Sequence, residues 1–271
     1  MSDQVKLQEK GVEMDPRQSM LLYPRPDNMY KKKGSLNFDL MRSKIYVQRK
    51  YNVMIPWLQI CALLMIGMLI GLIASVMEYV VQFLISTKVG YTDQLIGGDK
   101  QNMASGWAFF MAYSVLFASI GSILCVWWAP KSAGSGIPEL IAYMNGIKTP
   151  GQFELSTFFV KIIGCMSAQA AGLCLGQEGP LAHIGACAAM AVIYLPLPGF
   201  APFHNDVYGR QFVAAGLAAG ISCAFGAPIG GVLLAYELSV PNTFWKFEGL
   251  WKSFICCTTA VFMLAFMSDI Y

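Results

Sequence analysis

Two short stretches hold the residue types that could do chemistry. Gly134-Ser135-Gly136-Ile137-Pro138 sets a hydroxyl between two glycines. A serine hydroxyl donates one hydrogen bond, and bare glycine backbone lets neighbouring N–H groups turn toward an ion. Gly176-Gln177-Glu178-Gly179-Pro180 puts a carboxylate in a similar setting. Proline fits the first turn of a helix, where its missing N–H would have had no partner. Each motif therefore predicts a helix N-terminus, where free N–H groups and the helix dipole favour an anion. Partial charges hold an ion moderately, strongly enough for it to enter and weakly enough for it to leave. Each residue also has a plainer role. Ser135 would serve as an N-cap. Glu178 would complement the helix dipole, worth about 0.3–1 kcal/mol.

What surrounds them decides between these roles. Hydrophobic residues make up 56% of the 271 and charged residues only 13%, about half the charge of a soluble domain. Residues 101–130, 179–205 and 211–236 contain no Asp, Glu, Lys or Arg. A helix needs about 20 apolar residues to cross the hydrocarbon core. The chain thus reads as a polytopic α-helical membrane protein. A carboxylate within such sequence is costly and marks function. Glu178 could itself occupy an anion position, and protonation would withdraw it.

Residues 1–50 hold 11 of the 19 Lys and Arg but 6 of the 16 Asp and Glu. A basic segment ahead of the first span predicts a cytoplasmic N-terminus, and topology accounts for Lys31-Lys32-Lys33 without nucleic acid. No apolar h-region with a cleavage site opens the chain, so no signal peptide is expected. The eight cysteines sit in apolar runs without Cys-x-x-Cys spacing and read as small buried hydrophobes, with no metal site.

Along the chain, residues 53–86 predict a long, tilted span. Residues 88–104 predict a polar loop on the non-cytoplasmic side, and residues 105–128 a second span. Pro138 to Asn145 predicts a helix too short to cross. Such half-helices survive at membrane depth only within protein or beside a watery cavity. Residues 155–175 predict an apolar helix holding Lys161, a cation that either biases the local field or snorkels to the interface. Further helices are expected from Pro180 to Ile193, from 211 to 225 and from the break at Gly226 to Leu238, with a last span at 247–268. Residues 195–210 read as a loop. His183 reads as a packed or interface residue.

These motifs, with Phe225-Gly226-Ala227-Pro228-Ile229-Gly230-Gly231-Val232-Leu233, resemble the CLC chloride channel and transporter family from about residue 35 to 271. Pro180-Leu181-Ala182-His183-Ile184-Gly185 and Ser35-Leu36-Asn37-Phe38 are most similar to its late-endosomal and lysosomal branch. The resemblance implies an all-α membrane protein: a bundle of tilted, partly broken and re-entrant helices forming the first half of an inverted repeat. Residues 1–50 would be a cytoplasmic segment and 51–271 the membrane domain. The family's second half, with its Gly-x-Phe-x-Pro motif and pore tyrosine, and its CBS domains find no match here. A fragment or a half-subunit is therefore expected.

The implied function is voltage- or pH-gated chloride conduction, with chloride as substrate and no cofactor. Chloride would be bound by Gly134, Ser135, Gly136, Ile137, Pro138, Gln177, Glu178 and Gly179, with serine at 135 going with chloride over nitrate. Glu178 would be the gate, blocking the path and carrying protons. Gln177 departs from the family's usual Lys or Arg, which weakens the positive field there. Exchangers of the family carry a second Glu after the position of Glu237; Leu238 stands in that place, so the resemblance favours a channel over proton-coupled exchange. The implied partners are the lipid bilayer and a homodimer, or the missing second half, in an endolysosomal or plasma membrane. Two other readings compete. One is a non-conducting half-subunit acting as an assembly or regulatory partner. The other is an intramembrane serine protease with Ser135 as nucleophile and His183 as base, which leaves Glu178 without a role.

Overall fold

The computed structural model describes residues 54–97, 103–195, 200, 203–204, 206–239 and 247–270; expectations for residues 1–50 lie outside this set. The chain divides into two units, residues 1–51 with 146–148, and residues 52–145 with 149–271. Among the described residues of the second unit eight α-helices follow one another: α1 Met54–Ile96, α2 Met103–Trp127, α3 Ile137–Met144, α4 Leu155–Ala171, α5 Glu178–Ile193, α6 Asp206–Phe225, α7 Pro228–Ser239 and α8 Phe247–Ser268. A 3₁₀ turn at Pro130–Ser132 leads into the first motif. Among the described residues three helices are long and apolar enough to cross a membrane: Trp57–Ile96, Met103–Trp127 and Gly249–Ser268.

The centre is the α5–α6 pair. Every residue of α5 from Leu181 to Ala189 is buried, as are Phe212 to Ser222 of α6. Small residues on both helices bring the backbones together. A side chain on Gly185 would strike the carbonyl of Gly216, and one on Gly220 would strike the carbonyl of Leu181. Between lipid-bathed helices there is little hydrophobic drive to associate, and close van der Waals packing of this kind supplies the attraction. The same device joins α1 to α8, where Gly67 lies against Thr259 and Gly71 against the carbonyl of Ala260. Around this core α2 shows an apolar exterior, with Trp107, Val115, Leu116, Ile123 and Val126 all exposed.

Three expectations need correction. The loop expected at 88–104 starts only at Gly97, because α1 continues through Ile96. Thr92 Oγ1 bonds back to the Lys88 carbonyl at 2.7 Å, and Lys88 is held by its side chain, so the helix propagates past Gly90. The helix expected at 155–175 stops at Ala171: Gly172 takes a left-handed conformation (φ 84°) and caps it with bonds from its N–H to Ala168 and Gln169. The loop expected at 195–210 ends early, since α6 begins at Asp206 and Arg210 is a buried helical residue.

Candidate anion site

The first motif is a loop built from two left-handed glycines, Gly134 (φ 74°) and Gly136 (φ 82°). Gly136 is the N-cap of α3, with Pro138 in the first turn as the sequence predicts. Ser135 between them is exposed. Its Oγ accepts a 3.4 Å bond from the N–H of Ile137, and the Gly136 carbonyl accepts from Leu140 at 3.0 Å. The hydroxyl proton of Ser135 is not used in that bond and is left to donate elsewhere.

The second motif starts where α4 ends. After Gly172 residues 173–176 form an irregular connector with a tight turn, Leu175 N–H donating to the Leu173 carbonyl at 2.8 Å, and Gln177 caps α5. Glu178 is the first helical residue, two positions ahead of the expected start at Pro180. Its half-buried carboxylate folds back onto Gly176, filling the room a side chain there would need. The acid thus lies over the N-terminus of its own helix, where the dipole favours a negative group.

The two motifs meet. A Cβ on Gly179 would lie 2.6 Å from Ser135 Cβ. One turn further along α5, a Cβ on Gly136 would strike the ring of His183. The first loop therefore rests on the face of α5 formed by positions 179 and 183, and the start of α5 adjoins Ser135. This is the arrangement an anion site needs: two helix N-termini, a hydroxyl and a titratable acid on one short path.

His183 is not a base for Ser135. Its Nε2 lies 3.2 Å from the backbone carbonyl of Gln152, which can only accept, so that nitrogen carries the proton. Gly136 separates its other nitrogen, Nδ1, from the serine. Lys161 does not snorkel: it is 4% exposed, and its Nζ has no hydrogen-bond partner. Glu237 is exposed on α7, and Leu238 packs against the core. The third motif has its own left-handed Gly226 (φ 62°), and Gly231 of α7 sits on Ser222 of α6.

Sequence reasoning misses one supporting residue. Lys88 is 3% exposed, and its Nζ donates to the carbonyl of Ala171 at 3.0 Å while lying 3.8 Å from the centre of the Phe110 ring. A cation at a helix C-terminus offsets the dipole, and here it also fixes the point from which the chain departs toward Glu178. The signal available in the sequence is a lone lysine closing a long apolar run.

The family model described as "Voltage gated chloride channel" matches residues 108–271. The chain is 34% identical over 230 residues to "Chloride channel protein CLC-b" of Arabidopsis thaliana, covering 82% of this chain and 28% of that protein. It is 32% identical over 256 residues to the human "H(+)/Cl(-) exchange transporter 7", covering 88% of this chain and 31% of that one. The chain thus spans under a third of these relatives' length. Among solved structures it superposes on a eukaryotic CLC transporter with a TM-score of 0.70 at 23% identity, over 78% of this chain and 38% of that chain. A slow cyanobacterial Cl⁻/H⁺ antiporter gives 0.68 at 22% identity, over 77% and 46%. The chain belongs to the voltage gated chloride channel family, whose model matches over half of it.

Proposed function

We propose that this chain supplies the first half of a chloride pathway across a membrane, and that it works with a complementary half inside a homodimer. Ser135 is the neutral ligand, with backbone around Gly134, Gly136, Ile137 and Pro138 completing its side of the path. Gln177, Glu178 and Gly179 form the other side, and Glu178 is the gate. The observation that carries this reading is the packing of Gly179 directly on Ser135, which joins the hydroxyl to the start of α5. The carboxylate of Glu178, folded against that start, competes for the place an anion would take; protonation ends the competition. Leu238 cannot relay a proton, which favours conduction over exchange. The basic segment before α1 supports a cytoplasmic N-terminus in an integral, multi-pass protein. Chloride is cargo, and the chemistry needs no cofactor.

The test is Glu178→Gln in the complete assembly, reconstituted in liposomes. A neutral isostere stands in for the protonated acid, so chloride flux should lose its dependence on external pH. Flux that keeps its pH dependence sinks the gate. Absence of flux from the unmutated assembly favours the non-conducting partner instead, and acidification of the lumen coupled to chloride movement overturns the channel reading.

A further inference from the structure

Behind the first loop lies a group of buried polar residues that the pathway does not use. Among the described residues, four buried side-chain polar atoms lack a hydrogen-bond partner: Gln152 Nε2 and Oε1, Lys161 Nζ and His183 Nδ1. All belong to one neighbourhood. His183 Nε2 and Cys187 Sγ both reach the Gln152 carbonyl, at 3.2 and 3.6 Å. Lys161 is close enough to act electrostatically on both His183 and Cys187. The three residues are 2%, 4% and 1% exposed, in the order Gln152, Lys161, His183. Glu139 lies within electrostatic range of Lys161 but is not hydrogen-bonded to its Nζ.

Leaving so many polar atoms buried and unpaired is expensive, at about 1–3 kcal/mol for each neutral group and more for a charge. Something must satisfy them, and their chemistry says what. Lys161 Nζ and Gln152 Nε2 are donors. Gln152 Oε1 is an acceptor, and so is His183 Nδ1, because its other ring nitrogen spends the proton on the Gln152 carbonyl. An anion accepts only; it would serve the two donors and leave both acceptors facing a negative charge. Water donates and accepts, and buried waters characteristically make about three such bonds.

We propose that Gln152, Lys161 and His183 enclose an internal hydration site behind the anion loop. Ordered water there joins the α3–α4 connector, α4 and α5. The site gives Lys161 Nζ an acceptor that no side chain supplies, and it backs the His183 ring on which Gly136 rests. It is distinct from the Ser135–Glu178 path, because Gly136 separates the loop's exposed face from the His183 ring.

The experiment is a density map of the full assembly at a resolution that shows ordered solvent, collected in chloride and again in bromide. Solvent peaks bridging Lys161 Nζ, the Gln152 amide and His183 Nδ1 are expected, with no anomalous signal from bromide among them. A bromide peak within the cluster overturns the proposal in favour of a second anion site. Gln152 turned to bond Lys161 and His183 directly, with no solvent between, also overturns it. Bromide missing from the Ser135 loop tells against the chloride pathway and leaves the hydration site standing.

Discussion

The two glycine-rich starts follow one recipe and reach opposite results. Around Ser135 the loop presents an exposed, neutral hydroxyl and is supported by shape alone, Ser135 on Gly179 and Gly136 on the His183 ring. Around Glu178 the loop is stoppered by its own carboxylate, and its support is a charge, Lys88 holding the end of α4. A neutral ligand can stay in place while ions pass; a charged one must be moved or neutralised. On the proposed reading, placing them side by side would give one path both a resting place and a plug.

Four substitutions in the complete assembly break or sharpen that contrast. Gly136→Ala should do most damage. It forces a left-handed residue, costing about 1–2 kcal/mol, and also drives a methyl into His183, so several kcal/mol of destabilisation are expected in thermal unfolding, with flux lost. A variant as stable as the parent would mean that the His183 buttress is not what holds the first loop. Lys88→Met tests the second loop's support. Removing a charged hydrogen bond should cost about 1.5–3 kcal/mol, and Glu178 should gate less completely because its loop leaves α4 at an unfixed angle. The matched control is Gly134→Ala. Its φ is just as strained, but open space surrounds the added methyl, so only about 1–2 kcal/mol should be lost and conduction should survive. If Gly134→Ala and Gly136→Ala behave alike, strain and not contact supports the loop. The smallest effect on stability belongs to Ser135→Ala, whose loss is read in binding instead. One hydrogen bond to an anion, about 1.5–3 kcal/mol, corresponds to roughly a ten- to hundredfold loss in chloride affinity, seen as a raised half-saturating concentration and relaxed preference over nitrate.

Much of this was legible in the residues. The glycine–proline punctuation marked both ends of α3 and the end of α7 to within a residue, because φ > 0 and a missing N–H are local demands; α7 itself starts at Pro228, inside the expected break. The acid at 178 stood out against a long uncharged run. Partnership was not legible. Nothing local says that Gly179 carries Ser135, that His183 underlies Gly136, or that Lys88 reaches Ala171 across 83 positions. The end of α1 was misplaced for a similar reason. Gly90 and Asp93 look like loop residues, and the anchoring of Lys88 overrides them. Lys161 left two options open in sequence, and only its burial removed the interface.

The shared backbone contact between α5 and α6 has a mechanical consequence. Where Gly185 meets the Gly216 carbonyl and Gly220 meets that of Leu181, neither helix can slide or roll without driving Cα atoms into oxygen. The pair moves as one stiff block, and the start of α5 travels with it. If Glu178 is the gate proposed above, its opening would be a torsion of one side chain against this block and not a helix stroke, on the timescale of rotamer exchange.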